Sequence, residues 1–96
     1  MRLNQLDKMQ QVCEAAVRIA PGSPDAHNSL GMSYFAQGKY LEAVNSFSTA
    51  ILLDGENPMF RENLAEVYEK LGESEQAAHE FKMAGELKAK QKSREE

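Results

Sequence analysis

Residues 24–57 read PDAHNSLGMSYFAQGKYLEAVNSFSTAILLDGEN, and residues 58–91 read PMFRENLAEVYEKLGESEQAAHEFKMAGELKAKQ. A shift of 34 residues superposes the two stretches, and a fixed period of this length indicates a repeat architecture. The superposed pairs are Pro24 and Pro58, Leu30 and Leu64, Gly31 and Ala65, Tyr34 and Tyr68, Gly38 and Gly72, Ala43 and Ala77, Phe47 and Phe81, Ala50 and Ala84, and Leu53 and Leu87. Residues 1–23 match the second half of the unit less closely, so we interpret them as a half repeat.

Each full unit has the start and stop signals of two helices. A capping residue and a proline open the first helix, and about fourteen residues later a glycine can adopt the left-handed conformation that closes it. The opening pairs are Ser23 with Pro24 and Asn57 with Pro58, and the closing glycines are Gly38 and Gly72. Second helices are expected to begin near Leu41 and near Ser74.

The half repeat predicts one more helix, with Asn4 as its N-cap, Asp7 in its first turn, and an end at Ala20 before Pro21. Apolar residues recur at helical spacing throughout the chain, as in Leu30 and Tyr34. The sequence therefore predicts an all-α protein of five helices. Small residues at Gly31, Ala43, Ala65 and Ala77 are expected where neighbouring helices approach closely.

These residues resemble the tetratricopeptide repeat family, whose pattern is W-x2-L-G-x2-Y followed by A-x3-F at period 34. The first unit has His27, Leu30, Gly31 and Tyr34 and then Ala43 and Phe47; the second has Arg61, Leu64, Ala65 and Tyr68 and then Ala77 and Phe81. His27 and Arg61 depart from the bulky first position, and Gly55 replaces the terminal proline. The resemblance covers nearly all of residues 5 to 88.

The resemblance implies a solenoid of about two and a half helix-turn-helix repeats, wound as a right-handed superhelix. It divides the chain into the second helix of an incomplete repeat (1–23), two full repeats (24–57 and 58–91, the latter with an extended last helix) and a charged tail (92–96). The first helices of the family line a concave groove in which peptide segments bind. The resemblance assigns Asn28, Met32, Phe35, Met59, Glu62, Asn63, Glu66 and Glu69 to that groove.

Acidic residues form a row on the first helix of the second full unit. Glu62, Glu66 and Glu69 lie at i, i+4 and i+7, which places them on one face. The row is either a solvated surface, with Glu66 paired to Lys70, or an acidic groove wall that attracts a basic or amphipathic segment. Basic residues follow in the last helix, where they either form a solvated extension or contact an acidic partner.

The composition narrows the classes of function. A net charge of -4 argues against nucleic acid binding. One cysteine, Cys13, makes no internal disulfide, and no stretch approaches the roughly 18 apolar residues of a membrane span. We therefore expect a cytoplasmic protein without membrane insertion. His27 and His79 have no partners at metal-ligand spacing, so the sequence predicts no metal, no cofactor and no enzyme.

Two functional hypotheses remain. The first is a non-catalytic protein-protein interaction module, a scaffold or adaptor, that binds a peptide or protein segment in its groove. The second is structural: self-association as a homo-oligomer, or membership of a longer repeat array. It arises because the first helix lacks the preceding helix with which it would pair in a complete repeat. The apolar face left without a partner consists of Leu6, Met9, Cys13, Ala16 and Val17.

Overall fold

A computed structural model describes residues 2–95 of the chain, and the side chains of residues 5–94. This part of the chain contains five helices and no strand. They are α1 (Arg2–Ile19), α2 (Pro24–Ala36), α3 (Tyr40–Leu53), α4 (Pro58–Lys70) and α5 (Ser74–Glu95). The predicted all-α architecture with five helices is confirmed.

The predicted N-caps of α2 and α4 are formed at Ser23 and Asn57. The Ser23 hydroxyl accepts a hydrogen bond from the Ala26 amide at 3.2 Å, and the Asn57 side chain accepts one from the Met59 amide at 3.0 Å. These bonds satisfy amides that a helix start otherwise leaves without a partner. Each first helix therefore begins at its proline.

The first helices end in the same motif. Gly38 and Gly72 have φ angles of 77° and 78°, a conformation that glycine adopts at no steric cost. The amide of the following residue then reaches back to a tyrosine carbonyl, from Lys39 to Tyr34 at 2.9 Å and from Glu73 to Tyr68 at 2.8 Å. This Schellman geometry turns the chain directly into the next helix.

The first helix departs from the prediction at its start. It begins at Arg2, so Asn4 is not its N-cap and Asp7 is not in its first turn. Arg and Leu are both good helix formers, which allows the helix to extend ahead of Asn4. At the other end α5 continues to Glu95, so residues 92–95 of the predicted tail are helical, and residues 1 and 96 lie outside the described residues.

Each helix packs against the next along the chain, and α2 also contacts α4 directly. The first helices of the two full units are therefore side by side, with α3 packed against both. The core between them contains Ala43, Phe47, Leu64 and Val67, with Tyr34, Phe35, Tyr40, Val44, Ile51 and Tyr68 packed around it. This arrangement fixes the surface that α2 and α4 share.

Phe47 has the closest contact in this core. A Cβ atom added to Gly31 would lie 2.7 Å from two carbon atoms of the Phe47 ring, and the ring is only 2% exposed. In the second unit the counterparts are Ala65 and Phe81, and Phe81 is 40% exposed. A methyl group is accommodated there because the second ring is not enclosed by a following helix of the described chain.

We predict that Gly31→Ala destabilises the protein although alanine is the better helix former. Overpacking against a buried ring costs about 1–3 kcal/mol, and the gain in helix propensity returns only about 1 kcal/mol. Urea unfolding followed by circular dichroism should show a net loss of about 1 kcal/mol. Adding Phe47→Leu should make the Gly31→Ala step less costly. A Gly31→Ala variant as stable as the parent would contradict the proposed contact.

Candidate functional site

An asparagine pair joins α2 to α4. The Nδ2 of Asn63 donates a hydrogen bond to the Oδ1 of Asn28 at 2.9 Å, and Asn28 is only 6% exposed. The Nδ2 of Asn28 lies 3.7 Å from the Sδ of Met32 and completes a short chain of contacts. Asn28 therefore holds the two helices together, whereas Asn63 also reaches the surface that they share.

A cavity of about 380 Å³ opens on this shared surface. Most of its lining is apolar and comes from α1, α2 and α3, whereas α4 contributes one amide and one carboxylate. Its lining residues are Met9, Met32, Phe35, Ala36, Phe47, Asn63 and Glu66. Four of the groove residues predicted from the repeat, Met32, Phe35, Asn63 and Glu66, thus meet around one space.

The cavity combines fixed and adaptable walls. Phe35 is half-buried, packs against the core, and has its ring centroid 5.7 Å from that of Tyr40. Met32 is 52% exposed, and its flexible thioether can adjust to the shape of a ligand. Phe47 forms part of the lining while remaining fixed between α2 and α4. The cavity therefore has a rigid base and a deformable rim.

The repeat pattern did not identify every lining residue. Met9, Ala36 and Phe47 belong to the cavity, and of these Met9 is the least expected because it comes from the half repeat. It occupies the repeat position of Ala43, which is fully buried. The sequence did contain a signal for this residue: Met9 is a long side chain at a repeat position where the next unit has a small one.

The predicted acidic row is divided by ion pairs. Lys88 of α5 forms a salt bridge with Glu62, and Gln91 donates to the backbone oxygen of Glu56 at 2.6 Å. Arg94 lies 3.6 Å from the Glu56 carboxylate. The extension of α5 therefore crosses the start of α4 and neutralises Glu62. Lys90 and Lys92 of the same extension are exposed and form no ion pair with a described residue.

The other acidic residues of the row remain open. Glu66 and Glu69 are both exposed, and among the residues that the structure describes no ion pair involves either of them. The expected pair between Glu66 and Lys70 is not formed. Met59 is also exposed, at the start of α4, but does not line the cavity. The available negative charge thus lies at Glu66 and Glu69.

His27 and Arg61, which replace the bulky first residue of the repeat pattern, both form polar contacts within the fold. The Nε2 of His27 donates to the Pro21 carbonyl oxygen at 2.8 Å and closes the loop between α1 and α2. Arg61 bonds Glu80 of α5 at 2.9 Å, and both side chains are largely buried. His27 and Arg61 therefore replace a packing contact with polar contacts between or beside helices.

Three partly buried side chains have pKa values above their usual range. Burial raises the pKa of the Cys13 thiol, which disfavours the reactive thiolate. Burial, followed by the charges of Glu14 and Glu42, raises the pKa of Tyr34, and burial with Glu80 and Glu73 raises that of Tyr68. The raised pKa values favour the neutral thiol and phenol groups, which suits a role in packing and hydrogen bonding.

The described residues contain neither a candidate metal cluster nor a candidate membrane span. No group of three or more His, Cys, Asp or Glu side chains in the described chain could hold a metal ion. None of the described helices has the length and apolar character needed to cross a membrane. The candidate site is the cavity, with Asn63 and Glu66 as its polar lining residues.

Comparison with known proteins gives two kinds of match. The family model described as TPR repeat matches residues 31–72, which run from the middle of α2 to the end of α4. A comparison of the sequence with curated proteins gives no match. Similar solved structures, in contrast, cover most of the chain.

Two of these structures are of MamA. The protein from Desulfovibrio magneticus RS-1 has a TM-score of 0.88 and 24% identity, over 94% of this chain and 51% of that one. MamA AMB-1 has a TM-score of 0.81 and 26% identity, over 90% of this chain and 51% of that one. The chain thus spans about half the length of the MamA structures that it matches.

A third similar structure is SycD, the type III secretion translocator chaperone of Yersinia enterocolitica. Its TM-score is 0.86 at 24% identity, over 92% of this chain and 67% of that one. The shared fold extends the repeat pattern beyond the part covered by the family model. The sequence repeat, the match of the TPR repeat model to residues 31–72 and the similar structures together show that the chain has the helical repeat fold of tetratricopeptide repeat proteins.

Proposed function

We propose that this protein is a non-catalytic interaction module that binds a segment of another protein on the surface shared by α2 and α4. The observation that carries the proposal is the cavity of about 380 Å³ between these helices, which opens to solvent and is mostly apolar. Its volume is within the roughly 300–1,000 Å³ that is usual for ligand sites. When a ligand covers apolar surface of this kind, the removal of that surface from water contributes favourably to the free energy of binding.

The helices around the cavity favour binding because they are already ordered. Phe35 and Phe47 are fixed by the core, and the asparagine pair holds α2 and α4 together. A ligand would therefore not bear the entropic cost of assembling the site. The exposed methionines Met32 and Met59 supply the adaptable contacts that suit a segment of variable sequence.

Charge favours a basic segment. Glu66 lines the cavity, and Glu69 lies three residues farther along the same exposed helix face. Neither is neutralised by an ion pair with a described residue. Complementary charges mainly accelerate association and select among partners, so we expect moderate, salt-dependent affinity.

The comparisons are consistent with this class of function. SycD is a type III secretion translocator chaperone. Since its identity of 24% shows the fold alone, we extend only the general activity to this chain. We propose a scaffold or adaptor that acts in the cytoplasm.

A second candidate function is self-association through α1. Val12 is 69% exposed and Ile19 is 84% exposed, which is unusual for apolar residues on one helix. The repeat counterpart of Val12 is Ser46, which is buried between α3 and its neighbour. This side of α1 therefore corresponds to the place where a complete repeat has its first helix. The face predicted to lack a partner is a different one: Leu6, Cys13, Ala16 and Val17 are partly buried because α1 packs against α2, and Met9 lines the cavity.

The groove proposal predicts the composition of selected ligands. Peptides selected from a random library on the immobilised protein should be rich in Lys or Arg and contain bulky apolar residues. Their affinity should fall when salt is raised from 50 to 500 mM, since exposed charges are screened. Glu66→Gln should weaken binding by about two- to five-fold, the usual value of one exposed ion pair. Isothermal titration calorimetry measures both effects.

Glu75→Gln is the matched control, because Glu75 is an exposed carboxylate in the first turn of α5. The Glu75→Gln variant should bind the selected peptides with the same affinity as the parent protein. Peptides that bind equally well to the parent and to a variant carrying both Met32→Gln and Glu66→Gln would place the binding surface elsewhere. Affinity that does not respond to salt would exclude the acidic-rim version.

The ion pair between Lys88 and Glu62 predicts a gain of affinity on its removal. Lys88→Gln leaves Glu62 without a cation and adds one negative charge to the side of α4. Binding of the same basic peptides should become about two-fold tighter at low salt, because the pair is partly exposed and weak. The double change Lys88→Gln and Glu62→Gln should return the affinity to that of the parent. A gain that persists in the double variant would rule out this explanation.

Self-association predicts an average mass that rises with concentration in sedimentation equilibrium. Val12→Lys and Ile19→Lys should each shift the distribution towards monomer, because a charge would be buried in the interface. Leu52→Lys is the control, since Leu52 is equally apolar and exposed but lies on α3. A strict monomer at a concentration of about 1 mM, some 10³-fold above a micromolar dissociation constant, would contradict this candidate.

A further inference from the structure

The cavity is chemically divided between the two repeats. Its α2 wall consists of Met32, Phe35 and Ala36, and at the same repeat positions α4 has Glu66, Glu69 and Lys70. An apolar wall in one unit thus faces polar and charged residues in the next. A groove with the same residues in both repeats would bind each part of a ligand in the same way. This groove instead offers an apolar wall to one part of a ligand and a carboxylate to another.

The separation of the two walls is that of packed helices. Neighbouring helix axes lie about 8–10 Å apart, and α2 contacts α4 directly. An extended chain advances about 3.3 Å per residue. A side chain inside the cavity and a cation at Glu66 would therefore come from residues that are close in the ligand sequence.

The amide of Asn63 lies between these two walls. One of its N–H groups is engaged with Asn28, and its oxygen can accept two hydrogen bonds. Because the bond to Asn28 fixes the orientation of the side chain, Asn63 offers a positioned acceptor next to the apolar space. A ligand ammonium or backbone N–H that enters beside Glu66 would find both the carboxylate and this amide.

We infer that the cavity receives one bulky apolar side chain of the partner and that Glu66 binds a cation from an adjacent residue of the same segment. This inference rests on the proposed function and specifies its ligand: an apolar anchor, such as Leu, Met or Phe, next to Lys or Arg. Met9 and Met32 close over the anchor, and the base of the site is Phe47. The charge at Glu66, which no described cation pairs, lies beside a mostly apolar cavity and selects this occupant over an acidic or wholly apolar one.

Small probes test the cavity without an identified partner. The primary probe is 4-phenylbutylammonium, which joins an apolar ring to a cation, and its comparisons are 4-phenylbutan-1-ol and 4-phenylbutyrate. Binding is followed by the methyl signals of the protein labelled with ¹³C at the methionine methyl groups. Met9 and Met32 line the cavity and serve as reporters, whereas Met83 lines a separate, smaller pocket on α5 with Glu86, Leu87 and Lys90 and reports binding at that second place.

The ammonium probe should shift the signals of Met9 and Met32 in a saturable way, with a dissociation constant on the order of 1 mM, as expected for a ligand of this size. The signal of Met83 should remain in place. The alcohol should bind about three-fold more weakly than the ammonium, and the carboxylate more weakly still, because only the ammonium pairs with Glu66. Equal affinity for all three probes would overturn the assignment to Glu66.

Two substitutions separate the apolar and the charged contributions. Ala36→Leu fills the cavity from an exposed helix end and should weaken the ammonium probe by about ten-fold, whereas Ala89→Leu on exposed α5 should have no effect. Glu66→Gln should abolish the difference between ammonium and alcohol, and Glu75→Gln should preserve it. Thermal unfolding verifies the fold of each variant. Should Ala36→Leu unfold, Met32→Gln tests the same wall.

The outcomes distinguish this inference from the proposed function. If Met9 and Met32 do not respond, or if Ala36→Leu leaves binding unchanged, the anchor site is wrong, even when selected peptides bind in a manner that depends on Glu66. If the probes bind as described but no peptide is selected, the anchor chemistry stands and the binding of protein segments is contradicted. An equal shift of Met83 would indicate general adsorption and would also overturn the inference.

Discussion

The ring of Phe47 fills the space between α2, α3 and α4, and the positions of these helices depend on it. Gly31 allows α2 to approach one side of the ring, because even a methyl group there would lie 2.7 Å from it. Leu64 and Val67 of α4 enclose the same cluster from the other side. As a result α2 and α4 are close enough for Asn63 to reach Asn28. The shared surface, and the cavity in it, follow from this one packing contact.

The same constraint explains why the two repeats are not equivalent. Phe81 has the position of Phe47 but is not enclosed by a further helix of the described chain, so it remains partly exposed and tolerates Ala65 beside it. At the other end Val12 lacks the helix that buries its counterpart Ser46. In a repeat protein each unit contacts only its neighbours, so stability is greatest where a unit has one on both sides. The cavity lies beside that best-supported unit.

The sequence predicts the features that local chemistry determines. Capping at Ser23 and Asn57 and the left-handed glycines Gly38 and Gly72 depend on a few consecutive residues, and the helix bounds therefore follow from the repeat. The helix face on which Met32, Phe35 and Glu66 lie follows from the resemblance of the repeat to the tetratricopeptide repeat pattern. Which of the predicted groove residues contact a partner stays a prediction, because it depends on the ligand.

What the sequence left open depends on contacts between distant residues. The salt bridge from Lys88 to Glu62 joins positions 26 residues apart and requires α5 to continue beyond the length of α3. Met9 of α1 and Ala36 of α2 line one cavity although they are 27 positions apart in the sequence. The charge pattern alone left open whether the acidic row is a solvated surface or an acidic groove wall, whereas the folded chain pairs Glu62, at one end of the row, with Lys88.

That neutralisation gives the groove its direction. With Glu62 paired, the negative charge available to a ligand is concentrated at Glu66 and Glu69, beside the cavity instead of along the whole of α4. A uniform acidic row would attract any basic segment in several registers, whereas a short charged site beside an apolar space favours one register. Because exposed ion pairs contribute little affinity, the apolar contact must supply most of the binding free energy. In the proposed complex, the charge would then decide which segment, and which orientation of it, is bound.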